Sequence, residues 1–190
     1  MESTLLFIAV LLILGIFWAV STHNHLVKLN NLVTESWRQV DVELARRHDL
    51  IPNLVEVVSG YARHEAALFA DLTATRTQAL AARTPGQLSA PETALGASVG
   101  RVLAVAEAYP ELKSASNFLQ LQYELVRCED RIAAGRRFYN GNVRTFNTKI
   151  DSFPASLLAS GYSHGEYFML DSPAAAQPIA IQLSPPPQAK

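Results

Sequence analysis

The chain has 190 residues, with 16 basic and 17 acidic side chains and a formal net charge of -1. This balance excludes the clustered positive charge on which nucleic-acid binding depends, so we expect no nucleic-acid partner. Cys128 is the single cysteine. An intramolecular disulfide is therefore excluded, and a small apolar core residue is predicted at that position.

The N-terminal part contains an uncharged span at residues 3–22, in which residues 5–20 are apolar apart from Gly15. Such a length crosses roughly 30 Å of hydrocarbon at about 1.5 Å per residue. We therefore predict a single-pass membrane anchor over residues 1–24, with Leu5, Leu12, Phe17 and Trp18 among its side chains. A cleaved signal peptide is the alternative, but no basic residue precedes the span and no AxA cleavage sequence follows it.

The charges that flank the span predict its orientation. Lys28 and Arg38 follow it, whereas nothing basic precedes it. The positive-inside rule therefore predicts an N-terminus outside the cell and a C-terminal domain in the cytoplasm.

Beyond the anchor, apolar residues recur at steps of three and four or their sums, which predicts one long amphipathic helix. They are Leu29, Val33, Trp37, Val40, Leu44, Ile51, Val55, Val58, Leu68 and Leu72. Pro52 removes a backbone donor, so a kink near His48 to Pro52 or a short break is expected, with Asp49 as the candidate cap of a restarted helix.

Proline and glycine residues mark the connections that follow. Pro85, Gly86 and Pro91 predict a first connection at residues 82–96. A shorter helix is predicted at about residues 92–108, because the residue before Pro110 avoids helical geometry. Its predicted buried side consists of Val99, Val102, Leu103 and Ala106.

The last long helix is predicted to begin at Ser114 or Ser116 as a cap and to end at Phe153 and Pro154. Its apolar series consists of Phe118, Leu121, Leu125, Cys128, Ile132, Gly135, Tyr139, Val143, Phe146 and Ile150. The mean step lies between the heptad value and that of a straight helix, which predicts antiparallel packing against the first long helix. Gly135 costs about 0.5 to 1 kcal/mol in a helix unless the helices approach closely there.

The C-terminal part departs from the helical pattern. Residues 155–169 predict a short helix and an apolar strap, either against the bundle or against the bilayer. Residues 171–190 are rich in proline and alanine and nearly uncharged, which predicts a disordered tail. The predicted fold class is therefore all-α, with an N-terminal transmembrane helix followed by an elongated antiparallel bundle of long helices over residues 25–170.

Several strings of residues resemble the LemA family of bacterial single-span membrane proteins. They are Arg46, Arg47 and Asp49 to Val55; Gly60, Tyr61, His64 and Glu65; AYPELK at 108–113; NFLQLQ at 117–122; RIAAGRRFYN at 131–140; and Asn147, Phe153 and Pro154. The resemblance covers about residues 25–169 and implies a membrane-anchored antiparallel bundle. It implies no catalytic activity. One branch of the family resembles components of bacterial organelle membranes, which makes membrane organisation a reasonable class of function.

The polar residues of these strings form a candidate structural or anion-binding cluster. Its members are Arg46, Arg47, Asp49, Pro52, Asn53, His64, Glu65, Arg136 and Arg137. In the structural interpretation, Arg46, Arg47, Asp49 and Asn53 bond carbonyls freed at Pro52. Arg136, Arg137 and Glu129 of the last helix are also expected to pair across the hairpin with Asp49, Glu56 or Glu65 and so to set the register. In the alternative, the four arginines bind lipid headgroups or carboxylates of a partner.

Motifs for catalysis and metal binding are absent from the sequence. No GxSxG, HExxH, CxxC or Walker pattern occurs. His48 and His64 are sixteen positions apart, about 24 Å along a straight helix, so one metal ion cannot bridge them there. We therefore predict no catalytic residue, no metal and no cofactor.

Two hypotheses for the function remain. The first is a non-catalytic scaffold that self-associates and organises the membrane or other membrane proteins. The alternative is a monomeric adaptor or regulatory subunit of a membrane protease, transporter or signalling complex. The expected partners are the lipid bilayer and further copies of the chain, with other membrane proteins as a further candidate.

Overall fold

The computed structural model describes residues 1–170, and all of their regular elements are helices. They are α1 (Glu2–Ser59), α2 (Ala66–Ala81), α3 (Pro85–Ala106), the short α4 (Pro110–Lys113) and α5 (Ser116–Asp151). A 3-10 turn, Ala155–Leu158, is followed by a segment without regular secondary structure over residues 159–170, which we call the strap. The predicted all-α class is confirmed. The predicted tail at residues 171–190 lies outside the described residues.

Helix α1 runs without interruption from the apolar span into the bundle. Its 58 residues correspond to about 87 Å at the usual helical rise. The side chains of Leu5, Leu12, Phe17 and Trp18 all lie on its exposed surface, and in residues 1–170 no other helix is long and apolar enough to cross a membrane. Because one helix contains both parts, the bundle is joined rigidly to the span, a point that the sequence had left open.

The first long helix differs from the prediction in two ways. Pro52 lies inside α1, so of the predicted kink or short break the break does not occur, and Asp49 does not cap a restarted helix. The helix also ends earlier than predicted, at Ser59, and residues 60–65 form a turn closed by a hydrogen bond from Ala62 N to Val58 O. Leu72 therefore belongs to α2. The three-and-four spacing continues across this turn, so periodicity alone did not reveal that the chain reverses there.

The first connection is also shorter than predicted, because it contains only residues 82–84. Thr84 Oγ1 accepts a hydrogen bond from Gln87 N, and Pro85 occupies the first helical position, so together they start α3. Pro91 lies within the helix. The predicted end of this helix before Pro110 is confirmed to within two residues, at Ala106.

The predicted antiparallel pairing of the two long helices is confirmed by the register of α1 and α5. Leu26 and Phe146 share one apolar cluster, and further along Val40 lies against Gly135. A Cβ atom on Gly135 would lie 3.1 Å from Val40 Cγ2, so the glycine permits close approach of the helices.

Every member of the predicted apolar series on α5 except Gly135 is buried, including Cys128. The predicted serine caps of α5 are wrong, because the cap position is Ala115 and has no side-chain bond. At the end distant from the span, α2 and α3 pack against one another and against α1, enclosing a core that includes Leu54, Leu72 and Leu95.

Candidate functional site

A buried ionic cluster lies where α1, α3 and α5 meet, and it consists of Arg47, His48, Glu92 and Glu129. Arg47 is 1% exposed and forms an ion pair with Glu92, which is also 1% exposed. Arg47 Nη1 donates to Glu129 Oε1 at 2.6 Å. His48 Nε2 lies 2.8 Å from Glu92 Oε1. The cluster thus joins three helices that lie far apart in the sequence.

The electrostatic environment keeps both buried partners charged. Burial by itself raises the pKa of Glu92, but the hydrogen bond with His48 and the charge of Arg47 outweigh it, so the pKa is lowered. Burial likewise works against the charge of Arg47, but Glu129 and Glu92 outweigh it and raise the pKa of the guanidinium. The arrangement is a charge network in which the buried groups bond to one another, while Nε of Arg47 is buried without a hydrogen-bond partner in residues 1–170.

Other predicted site residues lie elsewhere. Arg46 pairs with Glu124 near the surface. Asp49, Pro52 and Asn53 are exposed on α1, so they do not share the buried position of Arg47. The predicted ion pairs of Arg136 and Arg137 are not formed within residues 1–170. Glu129 pairs with Arg47, and its predicted pairing with Asp49, Glu56 or Glu65 is wrong, because two carboxylates carry the same charge.

His64 and Glu65 lie in the turn between α1 and α2. His64 is exposed, and Glu65 is the cap residue of α2 through its backbone, since its carbonyl accepts a hydrogen bond from Leu68 N at 3.0 Å. Both residues therefore belong to the turn and lie outside the buried ionic cluster.

The carbonyl freed by Pro52 has a donor that the sequence did not predict. Proline lacks an N–H group, so His48 O, four residues earlier, loses its helical partner. Arg76 Nε on α2 donates to this oxygen at 2.8 Å. The predicted donors Arg46, Arg47, Asp49 and Asn53 are therefore wrong, because the donor comes from a neighbouring helix. The hydrogen bond from Arg76 to the carbonyl freed by Pro52 therefore connects α2 with α1.

We expect Arg76→Gln to lower the free energy of unfolding by about 1–3 kcal/mol, since a carbonyl loses a charged donor. In a Pro52→Ala background, the new alanine supplies an N–H group to His48 O, so the same substitution should cost less. The measurement is a double-mutant cycle of denaturant unfolding. Equal costs in both backgrounds would show that Arg76 does not compensate for the proline.

Two asparagines of α5 hold the strap. The side-chain amide of each one bonds to both the N–H and the C=O group of a single strap residue, as the backbone of a neighbouring β-strand would. The side-chain amide of Asn140 donates to Phe168 O at 2.9 Å and accepts from Phe168 N at 3.0 Å. Asn147 does the same with Gly165, at 3.0 and 2.8 Å. The asparagines are seven positions apart, so they lie on one face of α5. The strap therefore packs against the bundle, which is one of the two arrangements that the sequence allowed.

Aromatic packing holds the strap between α1 and α5. Phe168 is fully buried, and its ring centroid lies 5.5 Å from that of Trp37. Trp37 also packs on Tyr139 at 5.1 Å. Tyr139 donates its hydroxyl to Glu166 O at 2.7 Å, and burial, with a smaller contribution from the charge of Glu166, raises the pKa of Tyr139 to about 12.

Several of these residues were missed by sequence reasoning although the pattern contained them. Glu92 lies three positions before Leu95 and continues the buried series of α3 through Val99, so a carboxylate on an apolar face was visible. The spacing of Asn140 and Asn147 was also visible. Arg76 had no such signal, because its partner is a backbone atom of another helix.

Comparison with known proteins identifies the chain's relatives. The LemA family model matches residues 36–182. Relatives include the magnetosome proteins MamQ 1 and MamQ 2 of Paramagnetospirillum magneticum and MamQ of Magnetospirillum gryphiswaldense, each 29% identical over 167 residues. The matches cover 73% of this chain and 61% of each relative, so the chain spans less than two thirds of their length.

The family description and the names of the relatives state no enzymatic activity. The apolar first part of α1 and the relatives together indicate a membrane-associated protein. The family model covers well over half of the chain. The chain therefore belongs to the LemA family.

Proposed function

We propose that this protein is a non-catalytic, membrane-anchored scaffold that self-associates through its helical bundle and organises the membrane. The observation that carries the proposal is the continuity of α1 across the anchor and the bundle. A rigid connection fixes the direction in which each bundle leaves the bilayer. Copies confined to one membrane then meet in similar orientations, so weak lateral contacts add together.

An exposed apolar stripe on α5 supports self-association. Leu119, Tyr123 and Val126 follow one another at steps of four and three, and they are 49%, 59% and 52% exposed. Side chains at this spacing lie on one face of a helix. Exposed apolar surface of this kind is typical of an interaction site. In this proposal the stripe packs against the same stripe on another copy.

The arrangement of titratable groups supports a non-catalytic role. Arg47 and Glu92 are buried and bonded to each other, with His48 bonded to the same carboxylate. A catalytic acid or base has to reach a substrate within hydrogen-bond distance. These groups are enclosed by three helices instead.

For the orientation we propose a cytoplasmic bundle, because the basic residues Lys28 and Arg38 follow the span on the side of the bundle. Protease added outside intact spheroplasts should then leave the bundle uncleaved. Cleavage within α5 under those conditions would reverse the proposed orientation.

The test of self-association is the mass of the full-length protein in mild detergent, measured by light scattering over a wide concentration range. We expect a multiple of the 20.8 kDa chain mass. Leu119→Asp with Val126→Asp should reduce it towards one chain, because charge would be buried in the contact. Thr145→Asp is the matched control, since Thr145 is an exposed polar residue of the same helix, and it should leave the mass unchanged.

A monomer at all concentrations, together with liposomes of unaltered shape in electron micrographs, would contradict the scaffold. Stoichiometric capture of one membrane protein by that monomer, lost in the stripe variant, would instead favour the adaptor.

A further inference from the structure

A groove with a strongly basic lining lies between α5 and the strap. Its volume is about 620 Å³. Arg136, Arg137 and Arg144 line it from α5, and Tyr167 and Met169 line it from the strap. The groove is separate from the buried ionic cluster, which involves earlier residues of α5.

Within residues 1–170, the three arginines of the groove lie together without a carboxylate partner, unlike several other arginines of the bundle. Arg46, Arg47, Arg101 and Arg131 each pair with a carboxylate. Within the described part of the chain the three groove arginines form no ion pair, and the groove lining contains no acidic residue.

Arg136 uses only part of its hydrogen-bonding capacity. Its Nη1 donates to Leu170 O at 3.3 Å, and its Nε is buried without a hydrogen-bond partner in residues 1–170. Guanidinium donors that lie together without an anion are unusual, because each adds repulsion to the others.

The shape of the groove is fixed by hydrogen bonds rather than by its contents. Asn140, which also lines the groove, holds the strap through both backbone groups of Phe168. On the other side, Met169 N donates to Ser89 Oγ on α3 at 3.0 Å. The strap wall is therefore held from two helices, and little ordering is required when a ligand enters.

We propose that this groove binds a phosphate ester whose organic part is apolar. Guanidinium groups match the geometry of phosphate oxygens and bind them in a forked manner. Beside them, Tyr167 is 40% exposed and Met169 is 59% exposed, which provides an apolar surface for the rest of the molecule. A soluble phosphate ester with net negative charge and an anionic phospholipid both have this chemistry, whereas choline cancels the phosphate charge of phosphatidylcholine.

The register of the helices places the two ends of the groove at different distances from the anchoring bilayer. Trp37 packs on Tyr139, which lies between the groove residues Arg137 and Asn140 on α5. Trp37 is fifteen positions past Thr22, the end of the uncharged span, or about 22 Å along α1. The other end, at Arg144, lies two positions from Phe146, which shares an apolar cluster with Leu26, only four positions past Thr22. A headgroup of the same membrane therefore reaches the Arg144 end first, whereas a soluble ester reaches both ends.

The first experiment is titration of phenyl phosphate into the full-length protein in phosphatidylcholine nanodiscs, followed by calorimetry. We expect saturable binding that weakens with salt and that falls about tenfold or more in Arg136→Gln/Arg144→Gln. The matched control is Arg127→Gln, a residue of the same helix that lies over Tyr123 outside the groove, and it should bind as the unmodified chain does. Circular dichroism checks that all variants are folded.

A second set of nanodiscs contains phosphatidylglycerol and distinguishes the source of the ligand. If lipid headgroups occupy the groove, the apparent affinity for phenyl phosphate falls in these discs, which supports the site and assigns it to lipid. Unchanged affinity supports the site and assigns it to a soluble ester. Asp171 follows Leu170 outside the described residues, so the series is repeated with Asp171→Asn, and the dependence on the arginines should persist.

Absence of saturable binding in phosphatidylcholine discs would overturn the proposal. So would binding that is unchanged in Arg136→Gln/Arg144→Gln, or binding that Arg127→Gln weakens to the same extent.

Discussion

Replacement of Glu92 by glutamine is expected to lower the free energy of unfolding by about 3–5 kcal/mol. The reason is that Arg47 would keep a buried charge after losing its fully buried partner, and removing one member of such a pair is strongly destabilising. The second partner, Glu129, is 47% exposed and replaces little of the lost interaction, because solvent screens it. Urea unfolding of the full-length protein in mild detergent, followed by circular dichroism, measures the loss.

Glu124→Gln is the matched control, since Glu124 pairs with the exposed Arg46 and should cost only about 0–1 kcal/mol. A double variant, Arg47→Met/Glu92→Met, should recover most of the loss, because it removes both charges together. Equal losses for the Glu92 and Glu124 variants would mean that burial does not determine the strength of this cluster.

The same cluster predicts how stability depends on pH. The pKa of Glu92 is lower in the folded protein, so its contribution is fully present above the ordinary glutamate pKa of about 4.3. It is lost as the pH falls below that value through the lower pKa of the folded state. The Glu92→Gln variant should therefore show a smaller loss of stability on acidification than the unmodified chain.

Truncation of Phe168 to alanine is expected to lower the free energy of unfolding by about 3–5 kcal/mol, the usual cost of removing a buried aromatic ring. Phe168 is fully buried and packs edge-on against Trp37. Hydrogen exchange should show that the backbone amides of Gly165 and Phe168 lose protection, since their asparagine partners then hold a strap without its apolar anchor.

Phe138→Ala serves as the control for Phe168, because Phe138 is 56% exposed on α5 and should change stability by no more than about 0.5 kcal/mol. Retained protection at Gly165 and Phe168 in the Phe168→Ala variant would show that the asparagine bonds alone hold the strap. The groove would then keep its wall, so this measurement also bears on the phosphate proposal.

The candidate site was only partly predictable. Arg47 was chosen from the sequence because of its place in a LemA-like string, but its partner Glu92 was not. A buried carboxylate is recognised by what lies opposite it, and residue 92 is 45 positions away from Arg47. The anion cluster expected from Arg46, Arg47, Arg136 and Arg137 divides in the structure, because the first two pair with glutamates and the last two line the groove.

The sequence by itself determined the apolar span, the two long helices and their antiparallel pairing. These features follow from the composition of each segment and from an apolar period that repeats over many residues. They can therefore be recognised from the sequence of the segment alone. The burial of the α5 series from Phe118 to Ile150 follows from the same period.

Only the tertiary structure decided where α1 ends, which donor compensates Pro52 and where the strap lies. The turn at residues 60–65 preserves the apolar spacing, Arg76 bonds to a backbone oxygen of another helix, and the asparagines of α5 bond to backbone groups 18 and 28 positions away. Each depends on contacts between segments distant in sequence. Their free energy exists only once the helices have packed, so no local pattern encodes it.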